Sequence, residues 1–121
     1  MTRDRLLTCA ALIELVTGLA LIVRPGLVVS LLVGADIVGA GLAICRIAGA
    51  GLIALAVACW PRQEAAHAAI RGMLTYNALA GVYLGYLWIG HDIRSVILPL
   101  AAVLHIVLAS LFLRLLLRDR A

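Results

Sequence analysis

The chain has 121 residues, enough for one domain. Hydrophobic residues make up 65% and charged residues only 13%, at a mean hydropathy of +1.16, whereas a soluble domain carries roughly a quarter charged residues; a water-solvated globule of this size has no way to hide so much apolar surface, and lipid is the solvent that suits it. The net charge of +4 rests on ten basic residues, all arginine, and they flank apolar runs in the manner of a membrane protein instead of forming the basic stripe of a nucleic-acid binder.

In chain order, Arg3 and Arg5 precede an apolar run over residues 6–23. The opening resembles a signal peptide, but the run is long and no A-x-A site closes it before Arg24-Pro25. It reads as an uncleaved first spanning helix, because about 20 apolar residues cross a bilayer and Pro25 disfavours helix at Arg24. Residues 27–41 hold an apolar stretch too short to span, then Gly34, Asp36, Gly39 and Gly41. They read as a short helix, an interfacial or re-entrant segment that lies in the interface or dips back against the bundle, with continuation of the first helix beyond a kink as the competing placement. The second span is expected over 42–60, ended by Pro61-Arg62-Gln63-Glu64, and the third over 69–89, ended by the polar stretch from Gly90 to Ser95. The fourth is expected over 96–117, with Pro99 in its first turn, where proline is tolerated. The fold expected is therefore all-α: one membrane domain over 1–121, a bundle of four transmembrane helices.

Arg3, Arg5, Arg62, Arg71, Arg114, Arg118 and Arg120 fall on the side shared by the two termini, against Arg24, Arg46 and Arg94 on the other. The positive-inside rule then places both termini in the cytoplasm. Lysine-free usage rich in Ala, Leu, Gly and Arg suggests a bacterial inner membrane. Trp60 and Trp88 sit at span ends, where aromatic belts form. Cys9, Cys45 and Cys59 make no CxxC pair and read as small buried apolar residues.

Each span holds one strongly polar residue: Glu14, Arg46, Asn77 and His105. Such residues are costly at membrane depth and turn towards the bundle interior. Residues four apart share a helix face, and each lies on a stripe of small residues: Ala10 and Gly18 about Glu14; Ala50, Ala54 and Ala58 after Arg46; Gly81 and Gly85 after Asn77; Ala101 and Ala109 about His105. Small stripes are where membrane helices approach closely, so Gly18, Ala50, Ala54, Gly81 and Gly85 are the expected packing positions. The polar residues then share one interior, with Tyr76 adding a donor. At about 1.5 Å per residue, Glu14 and Asn77 lie roughly 12 Å deep, His105 roughly 15 Å and Arg46 about 21 Å. A Glu14–Arg46 ion pair with Asn77 and His105 as interhelical hydrogen-bonding partners is the structural reading; Arg46 alternatively snorkels to the far headgroups. The functional reading is a proton- or ligand-handling site. His67 and His91 read as loop residues.

No cofactor is expected. A b-type haem needs two axial ligands, and only His105 lies within a span. No metal-ligand spacing appears, no Ser-His-Asp or Cys-His constellation can be assembled, and Gly39-x-Gly41 lacks the strand of a dinucleotide loop.

The Gly18-bearing first helix, the Arg24-Pro25-Gly26 ending, Arg46-x-x-Gly49 and Tyr76-Asn77 resemble the small bacterial four-helix proteins grouped around the DoxX-like and uncharacterised families. That resemblance implies a quinone-linked or redox accessory subunit. Locally, Ala10 to Gly18 is similar to the first helix of small multidrug resistance transporters, which implies a proton-coupled exporter centred on Glu14, although Arg46 would oppose a cationic substrate. The function expected is that of an accessory, scaffold or assembly subunit acting through helix packing. Its expected partners are the bilayer, another protein or a second copy, and a small hydrophobic ligand or quinone.

Overall fold

Apolar runs punctuated by proline and glycine give five α-helices in the computed structural model, which describes residues 2–62, 66–90 and 95–118: α1 (Arg3–Val23), α2 (Pro25–Val33), α3 (Ala40–Ala58), α4 (Ala66–Gly90) and α5 (Ile97–Arg118). The polar breaks at Gln63-Glu64 and from His91 to Arg94, and the terminal Asp119-Arg120, lie outside the described residues. The sequence reading counts four spanning helices and a short additional helix; that short helix is present as α2, and the described residues hold five helices in all. Three of them, α1, α3 and α5, are long and apolar enough to cross a membrane. Helix α4 is the longest at 25 residues, but Arg71, Asn77 and its three tyrosines dilute its apolar character.

The break between α1 and α2 falls at Arg24, with φ −137° and ψ 61°. Its amide still closes α1 by donating to the Ala20 carbonyl at 2.8 Å, and Pro25, lacking a donor, takes the first turn of α2 where none is required. Gly34 ends α2 in the left-handed region at φ 68°, its amide bonded to the Ser30 carbonyl at 2.9 Å. Gly39, at φ 56°, turns the chain into α3. A side chain at either glycine would be strained.

The helices pack as two antiparallel hairpins, α1 with α3 and α4 with α5. Contacts between the hairpins are sparse and gather at the end where α1 starts and α5 finishes. There Leu7, Ala10, Ala56, Ile70, Met73 and Phe112 form the core of buried side chains. Outward, large apolar residues such as Val16, Ile47, Val57, Leu79, Val82 and Leu100 stand more than half exposed, a surface suited to acyl chains. With lipid on that side, hydrophobic burial does not drive the helices together, and close van der Waals approach must hold them.

Glycine makes that approach possible at two crossings. A Cβ on Gly18 would lie 2.6 Å from the Gly49 carbonyl oxygen, and one on Gly49 would lie 2.6 Å from that of Gly18. A Cβ on Gly81 would lie 2.9 Å from Ile106 Cγ1. The other expected packing positions do not serve that purpose. Ala50, Ala54 and Ala58 are exposed, and a Cβ on Gly85 would meet open space. The physical reason is the rotation of α3: the face turned to α1 carries Gly49, Ile53 and Ala56, which places the alanine stripe on the outside.

Candidate functional site

On α1 the residues Leu7, Ala10, Ala11, Glu14 and Gly18 are all buried, the three- and four-residue stepping of one helix face. On α4, Met73, Asn77 and Gly81 are buried in the same way. These faces meet between the hairpins and carry their polar residues inward.

Asn77 is fully buried. Its Nδ2 donates to the Met73 carbonyl one turn earlier, at 2.8 Å, which leaves Oδ1 turned towards α5, 2.8 Å from Nδ1 of His105. The Tyr76 ring meets the His105 ring edge-on, with centroids 5.7 Å apart and an interplanar angle of 82°. The Tyr76 hydroxyl lies close to the Glu14 carboxylate. Glu14 is only 1% exposed, and its Oε1 makes no hydrogen bond among the described residues. One polar layer thus runs across three helices: Glu14 on α1, Tyr76 and Asn77 on α4, and His105 on α5.

Arg46 is not in that layer. It is exposed, and its Nε donates to the Ile22 carbonyl at 3.4 Å. The Glu14–Arg46 ion pair of the structural reading is absent. Because α3 runs antiparallel to α1, residue 46 comes level with residue 22, eight residues beyond Glu14, or about 12 Å along the axis at 1.5 Å per residue. The guanidinium therefore stays at the α2 end, with its stem along the helix surface.

Above the polar layer the hairpins leave a cavity of about 440 Å³, within the size range of small-molecule sites. Ile13 and Leu21 of α1, Val28 and Leu32 of α2, Leu52 of α3, Leu84 of α4 and Leu104 of α5 give it apolar walls; Thr17, Tyr76, Tyr83 and His105 bring the polar atoms, and no charged side chain lines it. Helix α2 forms its cover. The cover is tied to the start of α5 by Ser95 Oγ, which donates to the Leu31 carbonyl at 2.5 Å and accepts from the Ile97 amide at 3.2 Å.

The cavity, its cover and the contributions of Thr17 and Ser95 escape sequence reasoning. The available signal is α2 itself, where Val28, Val29, Leu31 and Leu32 put apolar side chains on more than one face of a segment too short to span. Among the described residues no group of three or more His, Cys, Asp or Glu side chains is placed to hold a metal ion. Cys9, Cys45 and Cys59 are free thiols.

No protein-family model, no curated protein and no solved structure matches this chain.

Proposed function

We propose that this protein is a four-span integral protein of a bacterial inner membrane that holds a small apolar molecule within the bilayer, in the cavity between its two hairpins. The observation that carries this reading is the cavity itself: about 440 Å³ of space with apolar walls and a floor that includes His105 and Tyr76. Such a pocket, mostly apolar with a few converging polar groups, is the usual form of a small-molecule site. In this reading α4 crosses the membrane beside α1, α3 and α5, and its polar residues are accommodated by facing inward. Both termini lie in the cytoplasm, since Arg3, Arg5, Arg62, Arg71, Arg114 and Arg118 gather at their end of the bundle and only Arg24 and Arg46, among the described residues, at the other.

The protein acts as an accessory or assembly subunit that presents its ligand to a larger partner or a second copy. Support comes from the exposed Ala50, Ala54 and Ala58 on α3, small residues over which another membrane helix can approach closely. A proton-coupled exporter centred on Glu14 draws less support, because Glu14 is 1% exposed and does not line the cavity.

The test is native mass spectrometry of the full chain released from lipid nanodiscs, alongside Ala101→Trp, which places an indole into the cavity. The expected result is a lipophilic molecule retained by the wild type and lost from the folded variant. Equal retention by both, or none by either, contradicts the reading.

A further inference from the structure

We infer that the ligand of this cavity is an uncharged lipophilic alcohol, whose hydroxyl donates to Nε2 of His105. This rests on the cavity-binding reading above and narrows it to one chemical class.

The polarity of the floor follows from one fixed chain of hydrogen bonds. The Met73 carbonyl can only accept, so the amide atom of Asn77 facing it, at 2.8 Å, is the NH₂ group. The atom facing His105, at 2.8 Å, is then Oδ1, also only an acceptor. His105 must donate to it through Nδ1–H. In the neutral ring this leaves Nε2 with a lone pair and no proton. Nε2 makes no hydrogen bond to the described residues, and it is not among the buried atoms that lack a partner, so it stands open on a ring that lines the cavity.

The nearby donors are occupied or adaptable. The Tyr76 hydroxyl lies beside the Glu14 carboxylate, which can accept its proton. The Thr17 and Tyr83 hydroxyls, also on the cavity wall, rotate to give or accept a proton. A ligand that only accepts, such as an ether, finds no partner at Nε2, and an acceptor facing another acceptor is unfavourable. A cation finds no carboxylate in the lining. A hydroxyl satisfies Nε2, and its oxygen remains free to accept from water or Thr17, while the chain fills the apolar space under α2.

Decan-1-ol and 1-methoxynonane are isomers that differ in whether the oxygen carries a proton. Each is titrated against the full chain in lipid nanodiscs, following the methyl resonances of Ile13 and Leu104, with free concentrations corrected for uptake by empty nanodiscs. The alcohol is expected to bind about tenfold tighter, the effect of one hydrogen bond with an otherwise unpaired acceptor. His105→Phe, which keeps an aromatic ring and removes both nitrogens, is expected to bring the two probes to equal affinity. Equal binding by the wild type, or a preference surviving in His105→Phe, overturns the assignment of an alcohol and leaves the cavity reading standing. Binding of neither probe overturns both. Independently of any variant's folding, ¹⁵N spectra of the wild-type histidines are expected to show His105 protonated at Nδ1 and bare at Nε2; a proton at Nε2 overturns the inference.

Discussion

Replacing Gly18 with alanine tests whether the α1–α3 hairpin depends on backbone contact. The new methyl group would lie 2.6 Å from the Gly49 carbonyl oxygen and 2.9 Å from Ile53 Cγ1, where ordinary contact begins at 3.4 Å. Both helices must therefore move apart by about 0.8 Å at their crossing, the difference between those distances. The obstacle is backbone and cannot rotate away. Overpacking of this kind costs about 1–3 kcal/mol, and the greater helix propensity of alanine returns up to about 1 kcal/mol. With the full return the net expected loss is up to about 2 kcal/mol, or up to roughly thirtyfold in the ratio of folded to unfolded protein. Reversible unfolding in bicelles, by denaturing detergent or by steric trapping, measures it. Gly51→Ala is the internal control: it lies in the same helix pair, and its added Cβ meets nothing within 4 Å, so it should match the wild type or exceed it slightly. If Gly18→Ala proves as stable as Gly51→Ala, the crossing is not the close contact described.

Three further outcomes follow from the same geometry. Asn77→Leu removes the bonds to the Met73 carbonyl and His105 and leaves the imidazole N–H unpaired, so unfolding should show a loss of about 1–2 kcal/mol. A double-mutant cycle of Glu14→Gln and Arg46→Gln should give a coupling below about 0.5 kcal/mol, since Arg46 bonds the Ile22 carbonyl; a coupling of several kcal/mol would restore the ion pair. On α3, Ala54→Leu should change stability by no more than about 0.5 kcal/mol, whereas Ala56→Leu, at a position 1% exposed, should cost about 1–3 kcal/mol; the reverse order would mean that α3 is rotated.

The helices are legible in the sequence because their ends are chemical events. Pro25 and Pro61 lack amide donors, and Gly34 and Gly39 take positive φ. Glu14 and Asn77 are legible as inward-facing because an unsatisfied polar group is costly in lipid, and each shares its face with residues four positions away. The same rule fails for Arg46. Its side chain is long enough to satisfy itself at the helix end, so its direction says little about which face of α3 is inside. Alanine is common in this chain, and the Ala50-Ala54-Ala58 stripe competes with the Gly49 to Ala56 face on nearly equal terms. Only contact with Gly18 decides between them. The cavity depends on how the hairpins diverge and where α2 comes to rest, properties of tertiary packing that no local pattern records.

The most direct test of the central claim is a solid-state NMR dipolar measurement between His105 Nδ1, labelled with ¹⁵N, and the side-chain amide carbon of Asn77, labelled with ¹³C, on the protein in hydrated lipid bilayers. With Nδ1 2.8 Å from Oδ1, strong dephasing is expected, the mark of a directly bonded pair drawn inward from α4 and α5. Absence of dephasing in a folded bilayer sample would mean that these side chains do not meet in lipid, and the polar floor of the cavity would be lost with them.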